Sequence, residues 1–172
     1  MSTTYPFTAW LMGPTSSGKT TISKQFVKVC QKKNFPIIHY DGDEIRNLFG
    51  KNFGFSEENR NLVIHTLAYM AKKANESGIP VIISALTAHK SAREYISKNI
   101  SNLKIIYIKC PISVCVSRDP KGLYKKAINK EINTLIGYNT EYIEPINPNL
   151  TLLTNEHSIE KNTVQLLDFL EI

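Results

Sequence analysis

The segment Gly13-Pro-Thr-Ser-Ser-Gly18-Lys19-Thr20 fits the pattern GxxxxGK[ST] at every fixed position. It sits between a short apolar run and a stretch of helical periodicity, which is the setting this pattern requires. Glycines at its two ends let the backbone wrap so that successive N–H groups point inward. Gly13, Ser16, Ser17 and Gly18, with Thr21 adjoining, are therefore expected to cradle the phosphates of ATP. The following helix adds the partial positive charge of its N-terminus. Lys19 is expected to bridge the β- and γ-phosphates, and the Thr20 hydroxyl to ligate Mg²⁺.

A second constellation is Asp41-Gly42-Asp43. Two carboxylates one residue apart, facing bound phosphates, can orient a hydrated Mg²⁺ and take a proton from an attacking hydroxyl. Asp43 is the expected base and metal contact, with Asp41 in support. The competing reading is an acidic turn in which Asp43 only caps a helix. The DxxG and NKxD signatures of a regulatory GTPase are not found, so transfer of a phosphoryl group is favoured over a nucleotide switch.

The elements that must hold these residues follow from periodicity. The chain has 172 residues, 42% of them hydrophobic and 21% charged, which is one globular domain's worth over 1–172. Strands are predicted at 8–12, 36–40, 79–84, 104–108 and 150–153, buried on both faces. Helices are predicted at 20–33, 44–49, from Ser56 to 77, at 112–118, 123–131 and 158–170. The alternation implies an α/β fold: a five-stranded parallel sheet flanked by helices, with ligands beyond the carboxyl ends of the strands.

The remaining composition narrows the class. Cys30, Cys110 and Cys115 have neither disulfide nor zinc spacing. No apolar run approaches a membrane span, and Met1–Thr8 lacks a secretory pattern. A cytoplasmic protein with no membrane partner is expected. The net charge of +6 comes from dispersed lysines without an aromatic-basic platform, so nucleic acid is not an expected partner. Only four arginines occur, Arg46, Arg60, Arg93 and Arg118, and arginine grips phosphate with two parallel hydrogen bonds.

Taken together these residues resemble the adenylylsulfate kinase family over nearly the whole chain. The resemblance rests on residues 13–21, Asp41-Gly-Asp43 with Arg46, Gly54-Phe55-Ser56 with Arg60, Arg118-Asp-Pro-Lys-Gly-Leu-Tyr-Lys-Lys-Ala127, and the Glu144-Pro145 region with Leu150–Thr154. It implies a P-loop nucleotide-kinase fold that moves the γ-phosphoryl group of MgATP to the ribose 3′-hydroxyl of a modified nucleotide. By the same resemblance Arg118 lies over ATP, while Arg46, Arg60 and Phe55 hold the acceptor. Residues 118–144 form a mobile lid that carries Lys121 and Lys125, and the chain forms a homodimer.

Departures from the family pattern gather on the acceptor side. The family's Asn three residues after Arg60 is Val63 here, and the arginines beyond it are His65 and Thr66. Ser-Pro-Tyr-Arg after the third strand becomes Thr87-Ala-His-Lys90, with Arg93 kept. The aromatic residue that clamps adenine falls at Leu135, and Tyr138 is a candidate replacement contact. Lys90, Leu135 and Tyr138 are therefore counted among the acceptor contacts. These departures turn the expectation toward a divergent branch, cytidine diphosphoramidate kinase, which serves capsule decoration, with adenylyl sulfate as the alternative acceptor. A non-catalytic nucleotide sensor and a kinase of nucleic-acid ends are the readings from other classes. Among the histidines, His39 is expected to be structural, His65 and His89 to face the acceptor, and His157 to be solvated.

Overall fold

The computed structural model describes residues 6–50 and 52–172, so most of the leader expectation for Met1–Thr8 falls outside the described residues. Five parallel strands form one sheet in the order β2-β3-β1-β4-β5. They are β1 (Thr8–Met12), β2 (Ile38–Asp41), β3 (Val81–Ser84), β4 (Leu103–Lys109) and β5 (Leu150–Leu153). The helices are α1 (Lys19–Lys32), α2 (Gly42–Leu48), α3 (Glu57–Glu76), α4 (Lys90–Asn99), α5 (Ile112–Arg118), α6 (Leu123–Ile128) and α7 (Ile159–Phe169). Among the described residues no helix is long and apolar enough to cross a membrane.

The central strand β1 explains the layering. Alternate side chains of a strand point to opposite faces. Trp10 and Met12 join a core with Ile83 of β3 and with Val63, Leu67 and Ala71 of α3. Ala9 and Leu11 join the opposite core, with Phe26 of α1, Ile106 and Ile108 of β4 and Leu166 of α7. Every residue of β1 is buried, which is why the strand reads as an unbroken apolar run.

The register then brings the functional segments to one edge. Asp41 of β2 and Leu11 of β1 both lie level with Ser84 of β3, and Lys109 of β4 lies level with Leu153 of β5. The turns that follow these strands therefore open on the same side of the sheet. β1 runs directly into the glycine loop, and β2 into α2. Gly13 has no room for a side chain, because an added Cβ would lie 2.5 Å from the Ile108 carbonyl oxygen. Gly18 closes the loop at φ 104°, a left-handed conformation that glycine adopts without strain, and α1 starts at the next residue.

Two of the predicted helix starts have the expected chemistry. The Ser56 hydroxyl accepts from the Asn59 amide, and the Ser158 hydroxyl accepts from the Lys161 amide. The third differs. Asp41, not Asp43, caps α2, its Oδ1 accepting from the Asp43 amide at 2.9 Å. Helix α4 lies in a stretch for which periodicity predicted no element. Its buried face consists of Ala92 and Ile96 alone, too sparse to register as a pattern.

Candidate active site

A cleft of about 480 Å³ lies beyond the carboxyl ends of the strands. That volume is within the usual range for a small-molecule site. The glycine loop forms one end of it. Lys19 folds its ammonium back over that loop, donating to the carbonyl oxygens of Gly13 at 2.8 Å and Pro14 at 2.7 Å. Burial lowers its pKa from 10.5 to about 8, against the upward pull of Asp43 and Asp41. The hydroxyls of Ser16 and Ser17 are buried without a hydrogen-bond partner. A phosphate chain supplies what this end lacks, since its oxygens accept from hydroxyls and ammonium alike.

Asp41 ties this loop to the second strand. Its buried carboxylate takes the Thr20 hydroxyl on Oδ2 at 2.6 Å and the α2 amide on Oδ1. Both oxygens are thus engaged from within the protein. Asp43 is different: it projects from the first turn of α2 with 62% of its side chain exposed and pairs with Lys121 of the segment between α5 and α6. An exposed carboxylate in this position is free to meet a hydroxyl, which the engaged Asp41 is not.

The residues also fit a magnesium ion. Among the described residues no cluster of three or more acidic, histidine or cysteine side chains could enclose a metal alone. Thr20 and Asp43 would offer oxygen ligands, with Asp41 holding the Thr20 hydroxyl, to a cation that keeps most of its shell as water and phosphate, which is how Mg²⁺ binds beside nucleotides.

The other end of the cleft is assembled from side chains. Two guanidinium groups lie over the Phe55 ring, Arg46 at 4.7 Å and Arg60 at 5.4 Å from its centroid. Arg46 donates to the Gly54 carbonyl at 2.7 Å, and Arg60 donates to the carbonyls of Phe55 and Thr134, both at 2.9 Å. Burial, with Arg46 close by, lowers the Arg60 pKa to about 10, which leaves it cationic at neutral pH. Val63, Ile64, Leu86, Ala88, Leu135 and Ile136 supply apolar walls. Leu135 is buried, packing with Tyr124 and Ala127.

Arg118 flanks the glycine loop, donating to the Thr154 carbonyl at 2.6 Å, while the Thr154 hydroxyl donates to the Ser17 carbonyl at 2.6 Å. Of the expected site residues, Gly18, Lys19, Thr20, Thr21, Asp43, Arg46, Phe55, Arg60, Arg118, Lys121 and Leu135 line the cleft together.

Three expected contacts lie outside the cleft lining. Lys90 opens α4 with 90% of its side chain in solvent and pairs with Glu94. Lys125 projects from the exposed side of α6, whose inward positions are Tyr124 and Ala127. Tyr138 is 46% exposed outside the cleft, edge-on to Tyr124. Arg93 donates to the carbonyls of Thr87, Ile143 and Glu144, binding chain segments together. His157, expected in solvent, lines the cleft beside Thr154, and its Nδ1 is buried without a partner. His65 stacks on Tyr95 at 3.7 Å and is absent from the cleft wall. Asn61 and His89 line the cleft; periodicity gave no hint of Asn61.

Comparison with known proteins agrees with this arrangement. The family model for adenylylsulphate kinase matches residues 5–153. A probable adenylyl-sulfate kinase of Pyrococcus abyssi is 41% identical over 142 residues, covering 83% of this chain and 82% of the relative. An adenylyl-sulfate kinase of Rippkaea orientalis is 31% identical, covering 95% of this chain and 91% of its own. The structure of the Mycobacterium tuberculosis APS kinase CysC in complex with AMPPNP and APS superposes with a TM-score of 0.91 at 28% identity, covering 98% of this chain and 99% of that one. Sequence and overall fold are thus shared with one group of enzymes, and the chain belongs to the adenylylsulphate kinase family of ATP-dependent phosphotransferases.

Proposed function

We propose that this chain transfers the γ-phosphoryl group of ATP to the ribose 3′-hydroxyl of adenylyl sulfate. The observation that carries the reading is the placement of Asp43, an exposed carboxylate between the glycine loop and the Arg46–Phe55–Arg60 wall. A hydroxyl held against Asp43 would face the terminal phosphate held by the loop, and positioning of that kind supplies most of the catalysis in phosphoryl transfer. Asp43 orients the hydroxyl and accepts its proton. Lys19 follows the charge that develops on the transferred group, and Arg118 steadies ATP. Arg46 and Arg60 bind the acceptor's anionic end, with Phe55 against its base. Thr20 and Asp43 would hold a magnesium ion, which would supply charge neutralisation at the phosphates.

The segment 118–144 acts as a lid. Arg118 at its start donates to the Ser17 carbonyl of the glycine loop at 3.5 Å and to the Thr154 carbonyl, and Lys121 donates to Asp43. Closing it would exclude water, the competing acceptor. The acceptor assignment follows the adenylyl-sulfate kinases among the relatives, in preference to the cytidine compound toward which the sequence departures pointed. ATP as donor and three buried free thiols suit a cytoplasmic setting, and a homodimer is proposed for the solution state.

One observation favours cytidine diphosphoramidate as a second reading. Val63 and Leu135 are buried in the acceptor wall, so an amide and an aromatic clamp are replaced by small apolar surface. A smaller pyrimidine needs less of such a clamp. Both compounds should be assayed side by side with MgATP, detecting the 3′-phosphorylated products. Higher kcat/KM with adenylyl sulfate is expected. Faster turnover of the phosphoramidate would replace the first reading with the second, and no transfer to either would reject both.

A further inference from the structure

We propose that Asn61 and His89 read the base of the acceptor nucleotide, presenting two hydrogen-bond acceptors that select an exocyclic amino group over a keto oxygen. The inference deepens the reading above, since it needs a nucleotide in the acceptor end of the cleft. It does not need that nucleotide to carry a particular terminal group.

Both residues line the cleft, Asn61 from α3 and His89 from the N-cap position of α4. A polar network holds them from behind. The Asn61 amide nitrogen donates to the Ser91 hydroxyl at 3.3 Å, and that hydroxyl donates to Glu57 Oε1 at 3.3 Å. The second Glu57 oxygen lies 3.8 Å from His89 Nδ1. Glu57 and Asn61 are one helical turn apart, so a single stretch of α3 presents both.

The opposite ends of the same two side chains are unpaired. Asn61 Oδ1 and His89 Nε2 are buried without a hydrogen-bond partner. Such orphans are costly, and few are tolerated in a folded protein. A carboxylate behind Nδ1 favours the tautomer with the proton on that nitrogen, which makes Nε2 an acceptor. Oδ1 is an acceptor by nature. His89 keeps 29% of its side chain exposed, so its ring has room to turn toward an occupant. Apolar side chains, Val63, Ile64 and Ala88, share this part of the wall.

An amino nitrogen carries two N–H donors, one for each of these atoms. A keto oxygen in the same position would set lone pairs against lone pairs. Selection therefore comes from repulsion of the wrong base as well as attraction of the right one. Adenine and cytosine both carry the amino group, and their keto counterparts are hypoxanthine and uracil.

The test is isothermal titration of the full chain, saturated with ADP to fill the donor end, with AMP, IMP, CMP and UMP. At least tenfold tighter binding of the amino member is expected in the pair that binds, AMP over IMP or CMP over UMP. Asn61→Leu and His89→Phe should each shrink that ratio severalfold, and the double substitution should bring it near one. Unchanged ADP binding confirms that the variants are folded; should the double variant fail that check, the single ones carry the readout. Equal binding within both pairs, a ratio that survives substitution, or no binding of any of the four would overturn the proposal. Because no turnover is measured, a failure of adenylyl sulfate as substrate would appear in the kinase assay alone.

Discussion

The two ends of the cleft are built in different ways. At the donor end, backbone groups dominate: a glycine loop follows a fully buried strand, and the two carboxylate oxygens of Asp41 are matched to the Thr20 hydroxyl and the Asp43 amide. At the acceptor end, side chains dominate, and they come from α2, the 49–56 segment, α3, α4 and the segment after α6. A backbone-built end tolerates little change, because Gly13 has no space for even a methyl group beside Ile108. A side-chain-built end can be altered one residue at a time without disturbing the sheet. The contrast explains why one fold can keep its phosphate donor while its acceptor wall diverges.

The sharpest way to break this comparison is at Lys19. Lys19→Ala should lower kcat by about 10³-fold or more, because the step depends on charge stabilisation at the transferred group. The fold should persist, since the ammonium contacts only the carbonyls of its own loop. Turnover and thermal melting measured on the same sample separate the two. A loss of less than tenfold would mean that the donor end does not depend on this cation.

Arg60→Ala tests the other end. It removes a guanidinium that stacks on Phe55 and donates to Thr134 of the facing segment. The acceptor KM should rise by about 10- to 100-fold, the scale of one lost charged hydrogen bond. The KM for ATP should stay within about twofold, since Arg60 lies at the far wall. Equal rises in both constants would erase the division between the ends.

The same contrast decides what the sequence disclosed. The glycine loop was legible because its chemistry is a fixed spacing of backbone-enabling residues, and Ser56 was legible as a cap because acids follow it in the first turn. Which aspartate capped α2 was not, because two carboxylates two positions apart satisfy the same pattern; the observed φ −115° and ψ 130° at Asp41 settle it. The resemblance puts Lys90, Lys125 and Tyr138 at positions of the family pattern or its lid. Their helix phase or turn geometry directs them to solvent, and a position in a pattern carries no such phase. Helix α4 escaped notice because His89 makes no side-chain cap bond and only two residues of the helix are buried. His157 and Asn61 reach the cleft through the fold alone, since neither belongs to a motif or a periodic face.

A milder perturbation distinguishes the ends without any substitution. Burial holds the Lys19 pKa at about 8 in the nucleotide-free protein, whereas Arg60, lowered to about 10, stays charged until the medium is far more alkaline. Triphosphate binding adds negative charge beside Lys19 and must raise its pKa, so by linkage ATP binds the protonated form more tightly. Affinity for ATP should therefore be level below about pH 7 to 7.5 as far as this group is concerned. It should fall as pH rises through about 8, by up to about tenfold per unit, until the pKa of the bound state is reached. Acceptor affinity, governed by arginines, should be flat over the same interval. Calorimetry at pH 8.5 in two buffers of different ionisation enthalpy would show proton uptake with ATP and none with the acceptor nucleotide. Proton release with ATP would reverse the sign and remove Lys19 as its source.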